Sequence, residues 1–333
     1  MLTAAPPPVA ATNRQARGAS WGRTLLRTAV AALLLTPAPS AAAQDSAAAQ
    51  STDGRAGRQT PAAAAAGVDL LDLFGTPTGE VPLWISPFLA QNPNWSLDVV
   101  DSVITLHSFG VPQRGSVLLP RLAAAVPLIE AEMDGEACEV RLEPLPDTWR
   151  IAWEPNAPLD QLDHGLIVTI HCDRPPLTPA QTPPVQPRFD GVIELPAALA
   201  RTRGQTIRYE PQPHKNTVGF WTSADDAAAW VFRIDRPGEY SLAALAGCGK
   251  GQGGSTMAVR IRKTGSAADS PPAAKLEFTV AETGNFQNFR WQPLGLLPIV
   301  EPGEYQIEFQ PAKIAAKAAM DIRAVQLVRQ AGE

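Results

Sequence analysis

The residues of this chain that could do chemistry are few and widely spaced. The four histidines, His107, His164, His171 and His214, do not share metal-ligand spacing, so each reads as a surface or hydrogen-bonded histidine. Asp225-Asp226 is the one adjacent carboxylate pair, and neighbours in a turn are ordinarily solvated rather than poised as acid and base. The stretch GCGKGQGGS, Gly247 to Ser255, has the glycines of a phosphate loop without its spacing: position 244 is alanine, and Gly251 follows the lysine where Ser or Thr is required. A glycine-rich strand connection is the reading that remains. Lys250, Gln252 and Asn288 are polar loop residues that either rim a cleft or are simply solvated. Among the three cysteines, Cys138 and Cys172 fall on apolar phases of two strands in one module. A disulfide and a pair of buried thiols both fit, and Cys248 is left over.

The elements that must position these residues are strands. Strict alternation runs through Cys138-Val140-Leu142, Trp149-Ile151-Trp153 and Leu166-Val168-Ile170-Cys172. It returns in Trp230-Phe232-Ile234, Met257-Val259-Ile261, Leu276-Phe278-Val280 and Tyr305-Ile307-Phe309. Pro237-Gly238 and Pro302-Gly303 supply turns, since proline presets φ and glycine accepts positive φ. Many short strands between such turns predict an all-β chain of two β-sandwich modules, with a jelly roll at the C-terminus. The Pro-rich stretch 175–189 cannot enter a sheet interior, because proline donates no ladder hydrogen bond. It divides residues 68–174 from 190–330, which are expected to fold independently. Residues 264–275 read as an exposed hairpin loop.

The first 43 residues hold four arginines and no acid, then the apolar run Thr28 to Leu35 and a small-residue site ending at Ala43. That order predicts a signal peptide, hence a periplasmic or secreted protein, and the run is too short to span a bilayer. Residues 44–67 are small and polar and predict a disordered Ala-rich linker. The whole chain carries a formal charge of −5 and the part after residue 43 carries −9, which argues against nucleic acid as a partner.

Residues 190–329 also carry a recognisable order of motifs: GVIELPA, IRYEP, VGFWTSADDAAAWVFRIDRPGEYSL, GCGKGQGGS, ETGNFQNFRWQPLG, PGEYQIEF and MDIRAVQL. The order resembles a module appended to secreted bacterial α-L-fucosidases and sulfatases. More distantly it is similar to the family six and family thirty-five carbohydrate-binding modules, galactose-binding-like jelly rolls. Residues 103–172 resemble, more weakly, the β-sandwich that follows the catalytic barrel of α-L-fucosidases. The short segment before residue 103 leaves no room for the barrel itself.

The resemblance implies a non-catalytic exported protein that binds a polysaccharide or other glycan, with a partner enzyme in place of the missing barrel. It puts Trp221 and Phe286 at the aromatic platforms of a cleft and Asp321 near a sugar-contacting Asn. From the sequence alone, Trp221 precedes a polar turn and is expected to be exposed, whereas Trp230, Phe232, Tyr240 and Tyr305 belong to the core. No cofactor is implied, since the calcium-binding glutamates of such modules correspond to Glu194 and Pro196, and the late Asp to Arg323. Two rival roles stay open: a structural or protein-interaction sandwich at the cell surface, and an accessory remnant of a fucosidase-like enzyme.

Overall fold

The computed structural model describes residues 82–110, 112, 115–155, 165–267 and 270–330. The signal peptide and Ala-rich linker expected from the sequence, and His164, lie outside the described residues. Helix α1 (Ile85–Gln91) leads into β1 (Trp95–Val100), β2 (Val103–Ser108), β3 (Ser116–Pro120), β4 (Leu128–Met133), β5 (Glu136–Ala137), β6 (Glu139–Pro144), β7 (Thr148–Glu154) and β8 (Leu166–His171). One sheet has the order β1-β2-β8-β4-β5 and the other β3-β7-β6, every pair antiparallel. Trp149, Ile151 and Trp153 are buried, as are Leu166, Val168 and Ile170. The alternation expected of half-buried strands is thus what builds the core between the sheets. The helix was not legible in the sequence; it buries Phe88 edge-on against Trp84.

The second module runs through β9 (Ile193–Pro196), a 3-10 turn (Ala197–Leu199), β10 (Arg201–Arg203), β11 (Arg208–Glu210), β12 (Thr217–Gly219), β13 (Ala227–Ile234) and β14 (Gly238–Cys248). It continues with β15 (Thr256–Lys263), β16 (Ala274–Thr279), β17 (Asn285–Ile299), β18 (Gly303–Lys313) and β19 (Asp321–Arg329). Its sheets are ordered β10-β13-β18-β15-β16 and β11-β12-β19-β14-β17, with β9 also on β19. The molecule is all-β, and the two facing antiparallel sheets of this module form a jelly-roll sandwich. Both PGEY turns are built alike: Gly238 and Gly303 adopt φ of 153° and 143°, and the Tyr240 and Tyr305 hydroxyls donate to the carbonyls of Arg236 and Glu301. Each buried ring thereby locks the turn that precedes its own strand.

Contacts between the modules are specific. The Arg121 guanidinium, fully buried, donates to the carbonyls of Ala200 (2.7 Å) and Ala197 (3.3 Å) and lies 4.8 Å from the centre of the Tyr209 ring. Val126 N–H donates to Pro211 O, and Ala123 N–H to Leu177 O. The buried side chains of both sandwiches form one connected cluster. Within the Pro-rich stretch, Val185 bonds to Val231 and Arg233 and so extends the edge of β13 by one residue. Proline keeps the stretch out of the sheets, while its amides and carbonyls still pin it to the surface.

The cysteines are free. Cys138 bonds to Ala131 on the side of β4 away from β8, whereas Cys172 lies just past the end of β8, four residues beyond Val168, the partner of Ala131. At ~3.3 Å per residue this offset is ~13 Å along the strands. A disulfide between Cys138 and Cys172, which needs Cα atoms within ~7 Å, therefore cannot form; both are free thiols, Cys172 buried and Cys138 half-buried. No helix among the described residues is long and apolar enough to cross a membrane.

Candidate functional site

The outward face of the sheet β11-β12-β19-β14-β17 carries a buried polar cluster beside exposed aromatic surface. In this sheet Tyr209, Val218 and Ile322 point into the core, so Arg208, Glu210, Thr217 and Gly219 point out. Gly219 lies between two carboxyls: a Cβ there would come within 2.8 Å of Asp321 Oδ1 and 3.4 Å of Glu210 Oε2. Lys215 Nζ donates to Glu210. The Asp321 carboxyl makes no hydrogen bond among the described residues although it is only 8% exposed, and the buried Thr217 hydroxyl has no partner either. Buried polar groups are ordinarily satisfied, so the Thr217 hydroxyl and the nearly buried Asp321 carboxyl on one outward face mark a candidate site.

Burial pushes the Asp321 carboxyl up to about 8, the neighbouring Glu210 charge pushes the same way, and Lys215 opposes both. The protonated carboxyl, able to donate as well as accept, is therefore favoured well above the usual carboxylate range. Because the unfolded chain ionises near the ordinary value of 3.8, stability from this group is full below pH ~4 and is lost as pH rises toward about 8. Asp321→Asn is expected to stabilise the fold progressively from pH 4 to 8, with the gain levelling off above that. Urea denaturation across this range checks it, and a pH-independent difference would contradict the raised pKa.

Aromatic groups rim the cluster. Between Ala246, which pairs with Arg290, and Cys248, which pairs with Asn285, β17 bulges outward over β14. A Cβ at Gly247 would meet the Phe286 carbonyl at 2.0 Å, so only glycine lets the bulge close. In this bulge the Arg323 guanidinium lies 3.9 Å from the Phe289 ring centre and donates to the carbonyls of His214 and Lys215. Next along β17, Trp291 is 46% exposed and pairs with Leu245 on the same outward face. At the opposite edge the Arg208 guanidinium covers the Phe220 ring, 3.2 Å from its centre.

The residues singled out in the sequence are distributed unevenly over this arrangement. Asp321 is in the cluster, and the half-buried Phe286 lies over Gly249 in the same bulge. Asn288 donates to the Thr283 carbonyl, so it shapes the bulge from within. Lys250 is exposed in the turn after β14, and neighbouring Gln252 accepts from the amides of Lys317 and Ala318. Trp221 must be corrected: it is 0% exposed and its indole N–H donates to Val218 O, so it has no free face for a sugar and belongs to the core. Asp226 caps the turn that follows it, accepting from the Thr222 and Ser223 amides. Glu194 pairs with Arg188, and no cluster of three or more acidic, His or Cys side chains suited to a metal occurs among the described residues. Glu210, Thr217 and Trp291 were missed, and for Trp291 a signal existed: it shares the outward phase of Phe289 on β17.

No protein-family model matches the sequence, and no curated protein matches it. Among solved structures the chain is similar to an α-L-fucosidase from Vibrio sp. strain EJY3, at 15% identity and a TM-score of 0.28. The match covers 69% of this chain and 38% of the fucosidase. It is also similar to the C-terminal CBM6 of a marine laminarinase from Zobellia galactanivorans, at 14% identity and TM-score 0.32, covering 41% of this chain and 99% of that one. A third is a GH26-CBM35 β-(1,4)-mannanase from Podospora anserina, at 13% identity and TM-score 0.31, covering 43% of this chain and 29% of the mannanase.

Proposed function

We propose that the C-terminal jelly roll binds a glycan on the outward face of β11-β12-β19-β14-β17, with Trp291 as a stacking platform and Asp321 as the buried polar contact. The observation that carries this reading is the nearly buried Asp321 carboxyl, which makes no hydrogen bond among the described residues, on the same outward face as the unpartnered Thr217 hydroxyl. Sugar recognition needs a flat apolar face for the ring C–H groups and a few fixed donors and acceptors for the hydroxyls. A neutral carboxyl supplies both from one group. The protein acts without catalysis, as an exported accessory to a separate glycan-degrading enzyme. Export rests on the order of basic, apolar and small residues in positions 1–43.

Trp291→Ala is expected to weaken glycan retention by roughly tenfold to a hundredfold, since losing about one side chain of apolar contact costs on the order of 1–3 kcal/mol. Its melting temperature should hardly move, because the ring is half exposed. A glycan array probed with the full chain and with this variant tests the assignment; equal retention by both would refute it.

One observation favours a second reading. Two carboxyls flanking Gly219, one with its pKa raised by burial and one hydrogen-bonded to Lys215, are the pattern of a general acid and its partner. Turnover of an aryl glycoside that disappears in Asp321→Asn would establish that reading and overturn the non-catalytic one.

A further inference from the structure

A cavity of about 700 Å³ lies in the other module, at the end of the sandwich where α1 meets β1, β2, β3 and β7. That volume is in the range of small-molecule sites. Its walls combine aromatic surface with amides and hydroxyls: Trp95, Phe109 and Trp153, with Gln91, Asn94 and Ser116. Gln91 and Asn94 are exposed and Ser116 and Trp95 half-buried, so their polar groups are accessible from the cavity. Phe109 is 67% exposed and presents its ring at the cavity mouth.

The frame is rigid. Trp95 stands edge-on to the buried Trp153, with ring centres 5.8 Å apart. The Asn92 side chain donates to Phe88 O at the end of α1, and Phe109 N–H donates to Asn94 O. The lining includes one charge, that of Arg150, which pairs with Glu143 through one of its nitrogens. No acid lines the cavity among the described residues. Aromatic faces with amide and hydroxyl groups suit a polyhydroxylated ring, and a guanidinium with no acid in the lining favours a neutral or carboxylated one over an amine.

We propose that this cavity is a second saccharide site, independent of the face around Asp321 and Trp291, that takes a neutral or uronic sugar unit. The test titrates the full-length chain with D-glucuronate, D-galactose and D-glucosamine, following the tryptophan indole N–H signals by NMR, with Trp95 assigned through Trp95→Phe. Glucuronate and galactose should shift the Trp95 signal, and Asn94→Leu, at an exposed position that spares the core, should weaken the response roughly tenfold. Trp291→Ala should leave it unchanged, so that failure of the C-terminal site and failure of this one are separately visible. Absence of any shift, a shift that survives Asn94→Leu or is lost in Trp291→Ala, or an equal response to glucosamine would overturn the proposal.

Discussion

Trp221→Ala is expected to destabilise the protein by about 3–5 kcal/mol, enough to remove much of the stability of an ordinary domain. The indole is fully buried among the largest core side chains, so truncation leaves both a cavity and an unpaired carbonyl on Val218, the acceptor of its N–H. The Ala319 amide also donates to Trp221 O, which ties the loop before β19, and with it the approach to Asp321, to the same residue. The variant should therefore lose glycan binding only in proportion to unfolding. Thermal denaturation followed by binding measurements at a temperature where the variant is still folded separates the two. Normal stability with lost binding would restore Trp221 as a platform.

The reason Trp221 was misjudged from the sequence is local and physical. Val218 points in and Gly219 points out, so simple alternation sends residue 220 in and residue 221 out. Phe220 instead adopts φ of +64°, uncommon for a residue with a side chain, and this reverses the phase: Phe220 emerges under Arg208 and Trp221 turns inward. The following polar turn suggested exposure, yet Asp226 folds back to accept its amides and seals it over the indole's strand end. Most strands carried no such reversal, and there alternation alone was sufficient, as in Trp149-Ile151-Trp153 and Tyr305-Ile307-Phe309.

The polar cluster was illegible for a different reason. Glu210 and Asp321 are far apart in sequence, and only the order β11-β12-β19 brings them to opposite sides of Gly219. No spacing rule encodes that neighbourhood, whereas Asp225-Asp226, adjacent in sequence, serves a turn. Sequence proximity marked a structural carboxylate, and only the resemblance, not any spacing, pointed to Asp321, whose proton equilibrium is displaced. Cys138 and Cys172 teach the same lesson about pairing: strand phase was readable, but the offset across β4 that keeps the sulfurs apart follows from register.

Arg121→Ala is expected to cost about 2–4 kcal/mol and to split a single melting transition into two. Burial lowers the Arg121 pKa to about 10 while leaving it charged at neutral pH, and the cation is compensated by two carbonyls and the face of Tyr209. Removing it relieves the cost of burying a charge but strands the carbonyls of Ala197 and Ala200, each worth about 1–3 kcal/mol when unsatisfied, and opens a void between the sandwiches. Arg121→Met retains most of the stem volume, so its smaller loss, about 1–2 kcal/mol, measures the carbonyls alone. We expect each sandwich to survive the split, because each has its own pair of sheets and its own buried aromatic residues: Trp149 and Trp153 in one, Trp221, Trp230 and Phe309 in the other. Calorimetry of the full chain and both variants checks this. A single unshifted transition in Arg121→Ala would show that the guanidinium does not couple the modules, and one lower transition for the whole molecule would show that the two sandwiches fold only together.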